Sequence, residues 1–142
     1  MAIKLGMEAA LKYKVGGQGG AGAWTALGNT RDVTLNLEAG EADVTTRANS
    51  GWRATVATLK EASVEFEMVW DTGDVGFTAI KNAFFNNDPI GLQILDAAAG
   101  QGLQADFSIT NFSRSEALEE AITVSVTAKV TYSATAPSWI GS

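Results

Sequence analysis

Between residues 62 and 70, Val64, Phe66, Met68 and Trp70 alternate with Ser63, Glu65 and Glu67. A period of two puts the first set on one face of a β-strand and the second on the other, which a helix cannot do. The pattern recurs. Val33, Leu35 and Leu37 alternate with Asp32, Thr34, Asn36 and Glu38. Residues 121–132 set Ile122, Val124, Val126, Ala128, Val130 and Tyr132 against Thr123, Ser125, Thr127, Lys129 and Thr131. Each such strand has an apolar face that something must cover.

The rest of the chain supplies more strands and little else. "LKYKV" (11–15) reads as a short strand, and "GGQGGAGAWTALGNT" (16–30) as a flexible loop that lacks the spacing of a phosphate-binding loop. Residues 31–38 and 42–48 read as a hairpin about the turn signal "AGE" (39–41). "NSG" (49–51) breaks the run, and 52–60 resumes an extended segment. "DTGD" (71–74) offers Thr72 or Asp74 as a helix N-cap, and Phe77, Ile80 and Phe84 then carry helical spacing over 75–85. "NNDP" (86–89) ends the helix, and strands are expected at 90–95 and 103–112. Trp139 and Ile140 in the tail 133–142 lie beyond any expected strand. One short helix cannot cover seven or eight strands. The expectation is a mainly β, antiparallel sandwich or barrel with one flanking helix, a single domain over 1–142.

Composition removes several kinds of function. The 142 residues include no cysteine and no histidine, so thiol nucleophiles, disulfides, imidazole bases and the usual zinc sites are excluded. The net charge of −6 and the scattered basic residues argue against a grip on nucleic acid. No apolar run approaches the ~20 residues of a membrane-spanning helix, and no membrane role is expected. Glu65 and Glu67 share a solvated strand face rather than facing each other across a cleft, and "DTGD" lacks the ligand spacing of a calcium loop. No catalytic residue, metal site or cofactor is expected, and folding in a cytosol is the default.

The tryptophans are the more informative residues. Trp70 is in phase with a core face, whereas Trp24, Trp52 and Trp139 stand in a Gly-rich loop, beside a polar loop and in a C-terminal arm. Large aromatics outside periodic strands are buried either by the chain's own loops or by a partner. Wide sheets with polar faces and open edges also invite lateral pairing, which closure into a ring removes. Two classes of function follow: a self-assembling structural subunit, or a carbohydrate-binding or capsid-decoration module with Trp24 and Trp52 as stacking platforms.

Residues 31–74, "RDVTLNLEAGEADVTTRANSGWRATVATLKEASVEFEMVWDTGD", resemble the major tail tube proteins of long-tailed bacteriophages. The order of features carries the likeness: a polar strand and hairpin, a Thr-rich segment, Gly-Trp-Arg, then a strand ending in an aromatic and an Asp. The helix with "NNDPI" and the long last strand extend it over most of 11–132. The resemblance implies subunits that close, six at a time, into rings stacked as a tube, with double-stranded DNA passing through the lumen unbound. It implies an inter-ring loop at 44–59, with Val44, Thr45, Thr46, Arg47, Asn49, Gly51, Trp52, Arg53 and Thr55 in contact. Lumen-facing residues would be Asp32, Thr34, Asn36, Glu38, Asp43, Glu65 and Glu67. The arms 1–10 and 133–142 would contribute Ile3, Leu5, Trp139 and Ile140 to subunit contacts. A tape measure and a tail terminator would be further partners. The setting would be the virion tail, after synthesis in the bacterial cytoplasm.

Overall fold

A computed structural model describes Ile3 and residues 5–141; Met1, Ala2 and Lys4 of the N-terminal arm and Ser142 of the C-terminal arm lie outside the described residues. Among the described residues the strands are β1 (Ala10–Val15), β2 (Thr25–Ala26), β3 (Thr30–Asp43), β4 (Thr55–Val69), β5 (Ile90–Leu95), β6 (Gly102–Ser115), β7 (Thr123–Val130) and β8 (Ser138–Ile140). One α-helix, α1 (Val75–Asn86), joins β4 to β5. All strands share one antiparallel sheet in the order β2-β1-β5-β6-β7-β4-β3, and β8 pairs with β6 beside that path. The sheet curls into a half-barrel.

Among the described residues no second sheet covers the first. The apolar phases of β1, β4, β5, β6 and β7 converge on α1, so that Val64, Phe66, Met68, Ile90, Leu92, Phe107, Val124 and Val126 pack with Phe77 and Ile80. Each such side chain contributes about 1.5–3 kcal/mol on burial. The helix lies where the sequence spacing places it. Asp74 is its N-cap, accepting a hydrogen bond from the Phe77 amide at 2.8 Å. Asn87 ends it in the left-handed conformation at φ 55°. Trp70 packs edge-on to Phe77, with ring centroids 4.8 Å apart.

A bulge in β6 keeps the core continuous. Ile109 pairs with Ala128 and Asn111 with Thr127, so Thr110 is an extra residue. That insertion changes the phase of the strand. Ile109 and Phe112 therefore face the same side, and Phe112 joins Trp70, Phe77 and Phe84 in an aromatic cluster.

Three expectations need correcting. "AGE" (39–41) is no turn, because β3 runs through it for 14 residues. β4 likewise takes the place of two separate segments, being continuous over 15 residues. A register shift falls between Ala39 and Glu41, where Gly40 allows close approach: a Cβ there would meet the Thr58 hydroxyl at 2.5 Å. The hairpin is thus β3–β4, twice as long as expected, with its tip at 44–54. The tail is also more ordered than expected, since Trp139 and Ile140 form β8 against Leu103 and Gly102.

Candidate functional site

The β3–β4 hairpin carries most of the residues expected to matter. Near its base, Leu35 pairs with Val64 and packs on the core. Toward the tip the same face of β3 continues through Leu37, Ala39, Glu41 and Asp43. Val33 and Leu37 are exposed on it; Val56, which pairs with Ala42, and Leu59, which is 85% exposed, stand on the opposite face. Among the described residues β3 pairs only with β4, so its other edge is open along its length.

Between the base and Gly40 the opposite face of the hairpin is polar, and it continues across the sheet. Thr34 pairs with Glu65 and Glu65 with Thr127; Asn36 pairs with Ser63 and Ser63 with Lys129; Glu38 pairs with Glu61. Antiparallel partners share a face. Glu67 pairs with Ser125 and meets Arg31 at 3.5 Å, and Ser113 on β6 extends the row beyond Ser125. Thr34, Asn36, Glu38, Glu65 and Glu67 therefore lie on one surface of carboxylates, hydroxyls and amides. Asp32 is exposed beside them, in the register shift between Thr30 and Val33.

Asp43 lies apart from this row. By the alternation of β3 it is in phase with Val33, Leu35 and Leu37, and it pairs with Thr55 beyond the second register shift. Its work is local. The Thr45 hydroxyl and then the Thr45 amide, the latter at 2.9 Å, hold the Asp43 carboxyl below its ordinary range.

The tip itself is compact. The Thr45 hydroxyl accepts from the Ala54 amide at 2.9 Å, the Trp52 amide donates to the Asn49 carbonyl at 3.0 Å, and the Asn49 side chain donates to the Trp52 carbonyl at 3.3 Å. A turn of 3-10 helix spans Arg47–Asn49. Ser50 and Gly51 then take positive φ, which a glycine accommodates at little cost. Val44, Thr46, Arg47 and Arg53 are exposed, and Trp52 is 77% exposed although its backbone is fixed. Thr55 is already in β4, so the segment 44–59 divides into a tip and the first residues of a strand.

The three tryptophans outside the strand pattern have different environments. Trp24 folds onto its own subunit, where its ring lies near Gly91 and 5.8 Å beneath the Lys14 ammonium. It is not an open stacking platform. Trp139 is half exposed, donates to the Gln101 side chain at 2.8 Å, and lines a groove of about 440 Å³ with Leu37, Leu103 and Val130. Trp52 alone stands clear. In the N-terminal arm, Ile3 and Leu5 are exposed ahead of a turn at Gly6–Glu8.

A feature without a sequence signal joins the Gly-rich loop to the C-terminal arm. Asp106 on β6 is buried and accepts from the Gln18 amide at 2.6 Å and from the Ser133 hydroxyl. Gln93, Gln104 and Gln18 continue the network side by side. Gly17 makes room for it, since a Cβ there would meet the Asp106 carboxylate at 2.7 Å. Asp106 falls in an ordinary polar phase of a strand, and only the fold shows that a loop covers it.

Residues 8–135 match the model of a family described as phage tail tube protein. The chain belongs to that family. It is a structural tail tube subunit, and its place is the tail. Its fold is that of the tail of an empty gene transfer agent particle with C6 symmetry, at TM-score 0.78 and 20% identity over 98% of this chain and 100% of that one. The SPP1 tail tube superposes at TM-score 0.77 and 16% identity, covering 99% of this chain and 80% of the other. A probable cytosol aminopeptidase of Burkholderia pseudomallei is 28% identical over 102 residues, 71% of this chain. This chain spans a fifth of that curated relative's length, as the match covers 20% of it. Among the described residues, no three His, Cys, Asp or Glu side chains gather where a metal could be held. No helix among them is long and apolar enough to cross a membrane.

Proposed function

We propose that six of these subunits close side by side into a ring, and that rings stack into the tube through which double-stranded DNA leaves the particle. The observation that carries this reading is the uninterrupted polar face shared by β3, β4, β7 and β6. A surface of carboxylates and hydroxyls repels phosphates and lets DNA slide, whereas a Lys/Arg surface would hold it. Asp32, Thr34, Asn36, Glu38, Glu65 and Glu67 line the lumen on this reading, and Asp43 belongs instead to the base of the tip. The open edge of β3 supports lateral pairing with the next subunit, which satisfies its free backbone groups.

The tip residues Val44, Thr45, Thr46, Arg47, Asn49, Gly51, Trp52 and Arg53, with Thr55 behind them, meet the neighbouring ring. Ile3 and Leu5 in one arm, and Trp139 and Ile140 in the other, add contacts between subunits. The subunit is made in the host cytoplasm, joins a tape measure and a tail terminator in the virion, and performs no catalysis. Its family and its fold, both those of structural tube proteins, support that last point.

Electron microscopy of the concentrated, purified chain tests the reading. Rings or tubes of uniform width are expected, and Trp52→Ala should leave a folded subunit that forms rings but stacks poorly. A chain that stays monomeric at every concentration overturns the proposal. So does a tube whose density puts Glu65 and Glu67 on the outer wall.

A further inference from the structure

The two ends of the sheet differ in charge. At one end is the hairpin tip, 44–54, which holds Arg47 and Arg53 and no acidic residue. β4 then runs for 15 residues, about 50 Å at ~3.3 Å per residue, to the other end. There Val69 pairs with Thr123, Ser115 pairs with Thr123, and the Trp70 amide donates to the Ile122 carbonyl. These contacts bring the 71–75 turn and the 116–122 loop together. That end carries Asp71, Asp74, Glu116, Glu119 and Glu120, with Arg114 nearby.

Arg114 is already occupied, lying over the Trp70 ring at 5.0 Å and pairing with Glu116 at 3.6 Å. Glu119 and Glu120 are in no ion pair among the described residues, and neither are Arg47 and Arg53. Each end also exposes apolar surface: Val44 and Trp52 at the tip, Val75 and Leu118 at the other. The two ends match in both respects.

We infer that the tip of one copy docks on the 71–75/116–122 end of a copy in the next ring, with Arg47 and Arg53 against Glu119 and Glu120. The inference rests on the tube reading and adds to it a receiving surface and a reason for polarity. Two tips meeting would set arginines against arginines, and two receiving ends would set glutamates against glutamates; like charges in contact oppose both pairings. Only the head-to-tail contact is attractive, and a head-to-tail contact that does not close propagates. Charge therefore gives the stack a single direction.

Reciprocal charge reversal in the full chain tests this. The tip variant is Arg47→Glu/Arg53→Glu and the end variant is Glu119→Arg/Glu120→Arg; circular dichroism checks that each folds. Electron microscopy should show rings but no tubes from either alone. An equimolar mixture should form tubes with the two variants in alternate rings, and so should one chain carrying all four changes. Arg47→Ala/Arg53→Ala serves if a reversal impairs folding. It should raise the protein concentration at which tubes appear by about tenfold, as many weak contacts act together around a ring. Tubes from either reversal alone, or no tubes from the mixture while the wild type stacks, overturn the inference and leave the tube reading intact. A wild-type chain that forms neither rings nor tubes overturns both.

Discussion

The part of the sheet that packs on α1 and the hairpin that leaves it are made of the same kind of strand. Both alternate apolar with polar residues, and both have Val or Leu on one face. In the first, Val64, Phe66 and Met68 are sealed by Phe77 and Ile80. In the second, Val33 and Leu37 continue the same apolar face with no helix over them, and Val56 and Leu59 stand exposed on the other face. Alternation shows that a face needs covering and is silent on whether the cover comes from the same chain. The folded monomer draws its stability from the first region, and the second leaves apolar side chains exposed.

Substitutions can break that contrast. The largest effect is expected from Phe77→Ala, which removes a buried ring touching Trp70 and Phe112 and should cost about 3–5 kcal/mol in denaturant unfolding. Asp106→Ala should cost less, about 1–3 kcal/mol, because it leaves the half-buried Gln18 amide and Ser133 hydroxyl without their acceptor. Its distinctive sign is faster hydrogen exchange in the 16–20 and 131–135 segments together. The smallest effect on the monomer belongs to Leu59→Ser, within about 0.5 kcal/mol, since the side chain already meets solvent. The same change should shorten tubes markedly. A Leu59→Ser monomer as unstable as Phe77→Ala would mean that the hairpin is core, and the contrast would fail.

Much of this was legible in the residues. The phases of 62–70 and 121–132, the spacing of Phe77, Ile80 and Phe84, and the Asp74 cap all reflect local rules that the fold obeys. Gly40 misled because a glycine beside acidic residues has two meanings, a turn or a close approach, and here Thr58 supplies the approach. β8 has only three residues, too few to show a period, and it is a strand because β6 offers it an edge. The Asp106 network depends on contacts between residues up to 117 positions apart, as from Gln18 to Thr135, and no local pattern encodes it. At the tip, Gly51 and Trp52 were readable as a loop with an exposed aromatic. The receiving end was not, because its acids become neighbours only when β4, β6 and β7 align.

The extra residue at Thr110 bears on which lengths of this chain evolution can use. Ahead of it, odd-numbered positions of β6 face the helix; past it, even-numbered ones do. A deletion of Thr110 would remove the bulge and let Ile109, Asn111 and Phe112 follow Ala128, Thr127 and Val126 in regular alternation, which keeps Phe112 in the aromatic cluster and Asn111 and Ser113 on the polar face. An exposed threonine in a bulge can thus be substituted or lost, whereas a one-residue deletion in the regular part of β6 would exchange its two faces. In a lineage of such chains, the residues matching Ile109 and Phe112 should stand either three apart, with the bulge, or two apart, without it.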